Sequence, residues 1–140
     1  MSESTTTYNI SVPASTEYLS KVRNFVANHA SECGFTEQEI ADIRLAVDEA
    51  YTNIIKHAYK NDRQKAVDIE LGCDQSELWI ALLDTGNAFD PNNYKKPDIR
   101  EKIKRKKRGG VGVYLIRELM DEVEYQTDES TNTIRMTKRK

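Results

Sequence analysis

The segment DEAYTNIIKHAYK, residues 48–60, carries Glu49, Asn53 and His57 at spacings of four. In an α-helix four residues complete about 400° of rotation, so these side chains lie along one flank. Glu49 faces almost directly away from the apolar stripe of the same helix. That stripe consists of Ile40, Ile43, Val47, Ala50, Ile54 and Ala58. A carboxylate and an amide one turn apart could accept a proton and bind a hard metal cation, whereas a solvated polar face is the alternative interpretation.

Two glycine-containing segments lie at the ends of other predicted elements. DTG, residues 84–86, follows a strongly apolar run, and GGVG, residues 109–112, opens a helical pattern. Taken singly, the first could be only a turn and the second only a flexible helix start. Two better-known phosphate motifs are excluded, because G-x-x-x-x-G-K-[ST] is absent and Leu115 stands at the third glycine of a dinucleotide fingerprint.

A strongly basic segment lies between these two motifs. Residues 95–108 contain nine Lys or Arg against two acidic residues, a net charge of +7, whereas the remainder has twelve basic and twenty-one acidic residues, a net charge of −9. A cationic strip on an acidic body favours local anion binding over nucleic-acid binding, because nucleic-acid-binding domains are usually basic overall. A solvated charged loop is the alternative. Because residues 92–108 lack an apolar period, we predict a long loop there.

The composition indicates one cytoplasmic domain. A chain of 140 residues has the size of a single domain, so we assign residues 1–140 to one core. Cys33 and Cys73 have no CxxC spacing and suggest no disulfide framework, so we expect both thiols to be reduced. The longest apolar run, LWIALL, is too short to cross a bilayer, and no signal-peptide pattern opens the chain. We therefore expect a cytoplasmic protein without a membrane partner.

The motifs need a framework that brings them together, and the hydrophobic periods predict one. Alternation predicts strands at 8–12, 66–73, 123–127 and 133–137, and a nearly continuous apolar run predicts a more buried strand at 77–84. A first helix follows Ser15 and stops at Gly34, and the capping box of Thr36 and Glu39 opens a second, which runs to about Lys60. A third helix follows the GGVG segment. His29 lies on the apolar stripe of the first helix, where we expect a structural role at the core edge.

The predicted order is strand, helix, helix, strand, strand, loop, helix, strand, strand. Such an order is typical of a two-layer α/β sandwich, with three helices on one face of a largely antiparallel sheet.

Taken together, the motifs resemble one family. E-A-Y-T-N-I-I-K-H-A-Y resembles the N box of the histidine-kinase-like, or GHKL, ATPases, and D-T-G-N-A-F-D-P and R-G-G-V-G-V-Y-L-I-R-E-L-M-D-E-V resemble their first and second glycine boxes. The chain is most similar to the bacterial anti-sigma-factor serine kinases, from Tyr8 to Thr137. Ala88 stands at the second glycine of the wider superfamily's D-x-G-x-G, but D-x-G-x-x-F-D is usual in the serine-kinase branch.

The resemblance implies a Bergerat-type ATP-binding fold, with ATP and Mg²⁺ as cofactors. By this resemblance Glu49 is the general base and Asn53 the magnesium ligand, while the role of His57 is taken as structural. Asp84 accepts a hydrogen bond from the adenine 6-amino group, and Gly86 lets the base approach the backbone.

The same resemblance assigns the phosphate side of the site to the second glycine box. The backbone N–H groups of Gly109, Gly110 and Gly112 are expected to bind phosphate. Residues 92–108 correspond to the ATP lid, with Arg108 as the lid residue that contacts phosphate or the protein substrate.

The implied function is an ATP-dependent serine/threonine-protein kinase and anti-sigma factor. It would bind an RNA polymerase sigma factor, phosphorylate an antagonist of the STAS type and form a homodimer, with no direct contact to nucleic acid. The alternative is a non-catalytic ATP-binding regulator that switches partners on a target other than a sigma factor; Glu49 argues against it. A histidine kinase fragment would need a phosphoacceptor His on a dimerisation hairpin, for which 140 residues leave no room.

Overall fold

The computed structural model describes residues 6–59, 65–86 and 109–140. The elements are, in chain order, β1 Thr6–Pro13, a short 3-10 turn Thr16–Tyr18, α1 Leu19–Glu32, α2 Glu37–Asn53, a π-helical turn Ile54–Ala58, β2 Ala66–Cys73, β3 Glu77–Asp84, α3 Gly109–Leu119, β4 Glu122–Asp128 and β5 Thr131–Arg139. This order confirms the one predicted from the hydrophobic periods.

In the described ranges the strands form one sheet in the order β1-β2-β3-β5-β4, and every neighbouring pair is antiparallel. Alternate residues of the central strands are buried, such as Val67, Ile69 and Leu71 in β2. These residues and the buried sides of α1, α2 and α3 form one hydrophobic core. The predicted α/β sandwich is therefore confirmed. No helix in these ranges is long and apolar enough to span a membrane.

The start of α2 follows directly from its sequence. Thr36 Oγ1 accepts a hydrogen bond from the backbone N–H of Glu39 at 3.2 Å, and Glu39 Oε1 accepts one from the N–H of Thr36 at 2.9 Å. These two bonds satisfy N–H groups that have no partner inside the helix. The bond from the backbone N–H of Thr36 is the largest cause of the lowered pKa of Glu39. Gly34 ends the preceding helix at φ +89°, a conformation that favours glycine. Both helix boundary signals are confirmed.

The end of α2 differs from the prediction. The α-helix ends at Asn53, and the next residues form a π-helical turn in which the N–H of Tyr59 donates to the carbonyl of Ile54 at 2.9 Å. A π-helical turn holds more residues than an α-helical one, so the backbone departs from the predicted regular helix after Asn53. The His57 side chain lies outside what the structure describes, so its alignment with Glu49 and Asn53 stays a prediction.

The expectation of two reduced, separate thiols is wrong in this structure. Cys33, at the end of α1, and Cys73, at the end of β2, form a disulfide with a Cα–Cα distance of 6.2 Å. Spacing along the chain could not show this pair, because 40 residues separate the two cysteines and only the packing of α1 on β2 brings them together.

His29 has the predicted place at the edge of the core. Its ring stacks on Tyr8 with a centroid distance of 3.7 Å and meets the edge of Phe25 at 4.8 Å. Its Nδ1 lies 3.5 Å from Glu32 Oε2, and 22% of the side chain is exposed. These contacts fasten α1 to β1, as a structural role requires.

Candidate active site

Glu49 and Asn53 lie one turn apart on the regular part of α2, as their spacing predicts. Both side chains are half-buried, while Val47, which lies nearly opposite Glu49 round the helix, is buried. Helix α3 packs against α2, so this flank is not the fully solvated face of the alternative interpretation. The helix thus presents a carboxylate and an amide together in a partly sheltered position.

The neighbouring carboxylate has a different environment. Asp48 Oδ2 accepts a hydrogen bond from Nε of Arg23 on α1 at 2.8 Å, and Nη2 of the same guanidinium forms an ion pair with this oxygen, also at 2.8 Å. The hydrogen bond to Asp48 raises the pKa of the Arg23 guanidinium. Asp48 therefore fastens α2 to α1, whereas Glu49 lies one residue further round the helix, on the flank that carries Asn53.

Asp84 ends β3 and begins the DTG turn. It is 7% exposed, and its Oδ1 accepts hydrogen bonds at 2.9 Å from the backbone N–H of Gly86 and from Nδ2 of Asn132. The first bond forms a side-chain turn that is characteristic of aspartate. Both bonds end on Oδ1, so among the described residues Oδ2 is the oxygen left for an external donor such as an amino group.

Asn132 lies opposite Asp84 in the β3–β5 register. Its Nδ2 also donates to the carbonyl of Gly86 at 2.9 Å, and its Oδ1 accepts a hydrogen bond from the Thr127 hydroxyl at 3.0 Å. Asn132 therefore fixes both ends of the DTG turn. Sequence analysis missed this residue, because only the strand register could have indicated it.

Tyr59 is a second residue that the motif search did not single out. Its hydroxyl donates to the carbonyl of Ala66 at 2.7 Å and accepts a hydrogen bond from the backbone N–H of Thr85 at 2.8 Å. Tyr59 is the last residue of the N box, and this position is the one available signal, since the hydroxyl of a buried tyrosine usually has a hydrogen-bond partner.

The second glycine box opens a helix, as predicted. Helix α3 begins at Gly109 and includes Gly110 and Gly112, and its first N–H groups have no partner inside the helix. Arg108 and the rest of the predicted lid, residues 92–108, lie outside the described residues. Of the predicted site, the described part therefore contains Glu49, Asn53, Asp84, Gly86 and the backbone of the glycines.

Comparison with known families gives a match over almost the whole chain. Residues 12–138 match the family model described as histidine kinase-like ATPase domain.

Similar curated proteins come from bacilli. The serine-protein kinase RsbW of Bacillus cereus is 37% identical over 131 residues, which cover 91% of this chain and 81% of that protein. The serine-protein kinase RsbW of Bacillus subtilis is 38% identical over 132 residues, with the same coverage.

A solved structure has the same fold. The crystal structure of the RsbU and RsbW domains of Rv1364c from Mycobacterium tuberculosis superposes with a TM-score of 0.68 and 18% identity, over 96% of this chain and 32% of that one. The chain thus spans about a third of that larger protein, and at this identity the likeness concerns the fold alone. The family match and the bacillar relatives, by contrast, show that this chain belongs to the histidine kinase-like ATPase family, among its serine-protein kinases.

Proposed function

We propose that this protein kinase transfers the γ-phosphate of ATP to a serine or threonine of a STAS-type antagonist, and that it also binds a sigma factor. The observation that carries the nucleotide part is the arrangement at Asp84, where Gly86 and Asn132 hold Oδ1 at 2.9 Å each and no described residue donates to Oδ2. The partner part is supported by the bacillar relatives, which are named serine-protein kinases.

Asp84 would select the base. A carboxylate oxygen accepts a hydrogen bond from the 6-amino group of adenine, whereas guanine carries a carbonyl oxygen at that position and would face it with a second acceptor. Because Asp84 is buried, an unpaired acceptor there is costly, and this cost favours adenine. Gly86 has no side chain to obstruct the base.

Asn53 would contribute a magnesium ligand. Among the described residues no group of three or more His, Cys, Asp or Glu could hold a metal ion. This fits Mg²⁺ that arrives with the nucleotide, because Mg²⁺ keeps several waters and takes few protein oxygens besides phosphates. When bound, Mg²⁺ would neutralise charge on the β- and γ-phosphates.

Glu49 would act as the general base. The serine oxygen attacks the γ-phosphorus, its proton passes to the Glu49 carboxylate, and the bond from the γ-phosphorus to the bridging oxygen of ADP breaks. Its half-buried position excludes part of the competing water. Asp48, the neighbouring carboxylate, is ion-paired with Arg23 on α1 and lies on a different side of the helix from Asn53.

The phosphates would be bound by the second glycine box and by the basic segment. The first N–H groups of α3, at Gly109, Gly110 and Gly112, suit an anion at a helix N-terminus. We extend the proposal to residues 92–108 as an ATP lid, with Arg108 contacting phosphate or the protein substrate, because nine cations suit a polyphosphate.

Affinity capture from extract of the native cell, with ADP and separately with ATP, tests the partners. We expect a sigma factor or a STAS protein among the captured proteins; their absence in both nucleotide states would leave the non-catalytic regulator of another target as the better proposal. Light scattering at micromolar concentration tests the proposed homodimer, and a monomeric mass with and without nucleotide would contradict it.

Transfer of radiolabelled phosphate to the captured STAS protein tests the chemistry. Glu49→Gln keeps the shape of the side chain but removes the base, so transfer should fall by about 10²–10⁴-fold while ATP binding persists. Glu70→Gln, at an exposed position of β2, is the control and should transfer phosphate at the wild-type rate. An unchanged rate in Glu49→Gln would exclude Glu49 as the base.

A further inference from the structure

The Tyr59 hydroxyl lies where three segments of the chain meet. Tyr59 is 6% exposed and directly follows the π-helical turn. Its hydroxyl donates to the carbonyl of Ala66 at the start of β2 and accepts from the N–H of Thr85 just after β3, at 2.7 and 2.8 Å. The Thr85 hydroxyl lies 3.4 Å from the same oxygen. One phenol group therefore joins the end of the N-box helix to two strand ends.

The bond to Thr85 acts on the middle of the DTG turn. Thr85 lies between Asp84, whose Oδ1 is held by Asn132, and Gly86, whose carbonyl is held by the same side chain. Asn132 thus holds the two outer residues of the turn from β5, and Tyr59 holds the central residue from the helical side. Without the hydroxyl, the Thr85 N–H would lose its partner in a part-buried place.

The same residue is tied to the helix that carries Glu49 and Asn53. The backbone N–H of Tyr59 donates to the carbonyl of Ile54, the residue after Asn53, at 2.9 Å. Asn53 is therefore connected to Asp84 through one π-helical turn, the phenol ring of Tyr59 and the hydrogen bond from Thr85, the residue after Asp84.

We propose that Tyr59 is a positioning residue, which sets the direction of the Asp84 carboxylate and its distance from Asn53. This inference rests on the proposed role of Asp84 in binding adenine. ATP would reach from Asp84, at the base end of the site, to Asn53, at the phosphate end. A fixed spacing between these two residues therefore favours a nucleotide whose base and phosphates contact both of them at once. Loss of the hydroxyl lets the turn move and weakens selection of the base more than binding of the phosphates.

The experiment compares Tyr59→Phe with Tyr51→Phe, because both remove one hydroxyl from the same helical segment. Tyr51 is fully buried, and its hydroxyl donates to the carbonyls of Pro13 and Ser15, at 2.6 and 2.8 Å, away from the DTG turn. Calorimetric titration with ATP, GTP and inorganic tripolyphosphate, each with Mg²⁺, gives the three affinities. Urea unfolding gives the stability of each variant.

We expect Tyr59→Phe to bind ATP about tenfold more weakly, in line with the loss of the part-buried hydrogen bond from the Thr85 N–H in the DTG turn. Tripolyphosphate affinity should stay within twofold, so the preference for ATP over GTP should fall by about the same factor of ten. Tyr51→Phe should unfold at lower urea concentration and keep the wild-type ATP affinity and selectivity. Wild-type selectivity in Tyr59→Phe, or an equal loss in both variants, would overturn the inference.

The wild type separates this inference from the proposed function. If the wild type does not prefer ATP to GTP, both the adenine role of Asp84 and the positioning role of Tyr59 are wrong. If the wild type prefers ATP and Tyr59→Phe does so equally, only the inference is wrong. Amide hydrogen exchange of a peptide covering 80–86 provides a test without nucleotide, since Tyr59→Phe should speed exchange there and Tyr51→Phe should not. Equal exchange in Tyr59→Phe and the wild type would also overturn the inference.

Discussion

Two aspartates lie on either side of β3: Asp74 begins the turn that leads into the strand, and Asp84 ends the strand and begins the DTG turn. In each turn one oxygen of the aspartate carboxylate accepts the hydrogen bonds. Asp74 Oδ1 accepts from the N–H and the hydroxyl of Ser76 and from the N–H of Glu77, at 2.8, 2.9 and 3.0 Å. Asp84 Oδ1 accepts from the N–H of Gly86 within its own turn, but its second donor is Asn132, which is 48 residues away.

Because the two turns differ in this way, we expect one to affect the stability of the fold and the other to affect nucleotide binding. At Asp74 every donor comes from the next three residues, so the turn closes on itself and completes the β2–β3 hairpin next to the Cys33–Cys73 disulfide. At Asp84 the donors among the described residues come from the turn and from β5, and the proposed function assigns the other carboxylate oxygen to the nucleotide. The Asp74 end of the sheet should therefore control unfolding, and the Asp84 end should control nucleotide affinity.

Reduction of the disulfide should have the largest effect, and it should fall on stability alone. Closing a loop of 40 residues stabilises a fold by about 4 kcal/mol in the chain-entropy model. We expect a reducing agent to lower the free energy of unfolding in urea by up to this amount and to leave the affinity for ATP within twofold. The Cys33→Ser, Cys73→Ser double variant is the control and should not respond to the reducing agent. Two free thiols in the protein purified in air would contradict the pairing.

Asp84→Asn should have the next largest effect, on binding alone. The variant replaces a charged acceptor with an amide, whose NH₂ group can face the amino group of adenine, so ATP affinity should fall by about 10²-fold. Asp74→Asn is the matched control and should bind ATP like the wild type. Calorimetric titration measures both. Equal losses in the two variants would remove the distinction between the two ends of β3.

Asn132→Ala should have a smaller effect on the same affinity. It removes the donor to Asp84 Oδ1 and to the Gly86 carbonyl but leaves the carboxylate in place, so we expect about a tenfold loss of ATP affinity. Asn9→Ala, at an exposed position of β1, is the control for loss of an asparagine from a strand. Unchanged affinity in Asn132→Ala would show that the DTG turn keeps its shape without the hydrogen bonds from the Asn132 side chain.

The smallest effect concerns the acid sensitivity of the Asp74 end. Hydrogen bonds from the backbone N–H groups of Ser76 and Glu77 lower the pKa of Asp74. A carboxyl group with a lowered folded-state pKa stabilises the fold above its unfolded pKa, about 4, and loses this contribution as pH falls through the folded pKa. Asn accepts the same bonds without titrating. The wild type should therefore lose more stability than Asp74→Asn between about pH 5 and about pH 3, as measured by urea unfolding.

Much of the fold could be predicted because its signals are local. The alternation in β2, the capping box at Thr36 and the glycine at position 34 each involve contacts within a few residues of sequence. The spacing of Glu49 and Asn53 predicted their shared flank for the same reason. The family resemblance then added roles that spacing alone left open.

The rest depends on contacts between residues that are distant in sequence. Asn132 meets Asp84 only through the β3–β5 register, and Cys33 meets Cys73 only through the packing of α1 on β2. The π-helical turn was missed for another reason, since an amphipathic period cannot reveal one extra residue in a single turn. That turn also decides where Tyr59 lies, so the residue became recognisable only in three dimensions.

The disulfide places one part of the candidate site inside a covalent ring and leaves the other part outside it. Its two cysteines and the backbone between them form a closed ring that contains α2 and β2, and therefore Glu49, Asn53 and Tyr59. Asp84 and Asn132 lie outside the ring. A single cleavage of the backbone anywhere from residue 34 to residue 72 would leave one molecule joined by sulfur, whereas a single cleavage after Gly86 would release the segment that supplies Asn132. In the oxidised protein the half of the site that carries the proposed general base and metal ligand therefore stays one covalent piece after such a cleavage, and the half proposed to select the nucleotide base does not.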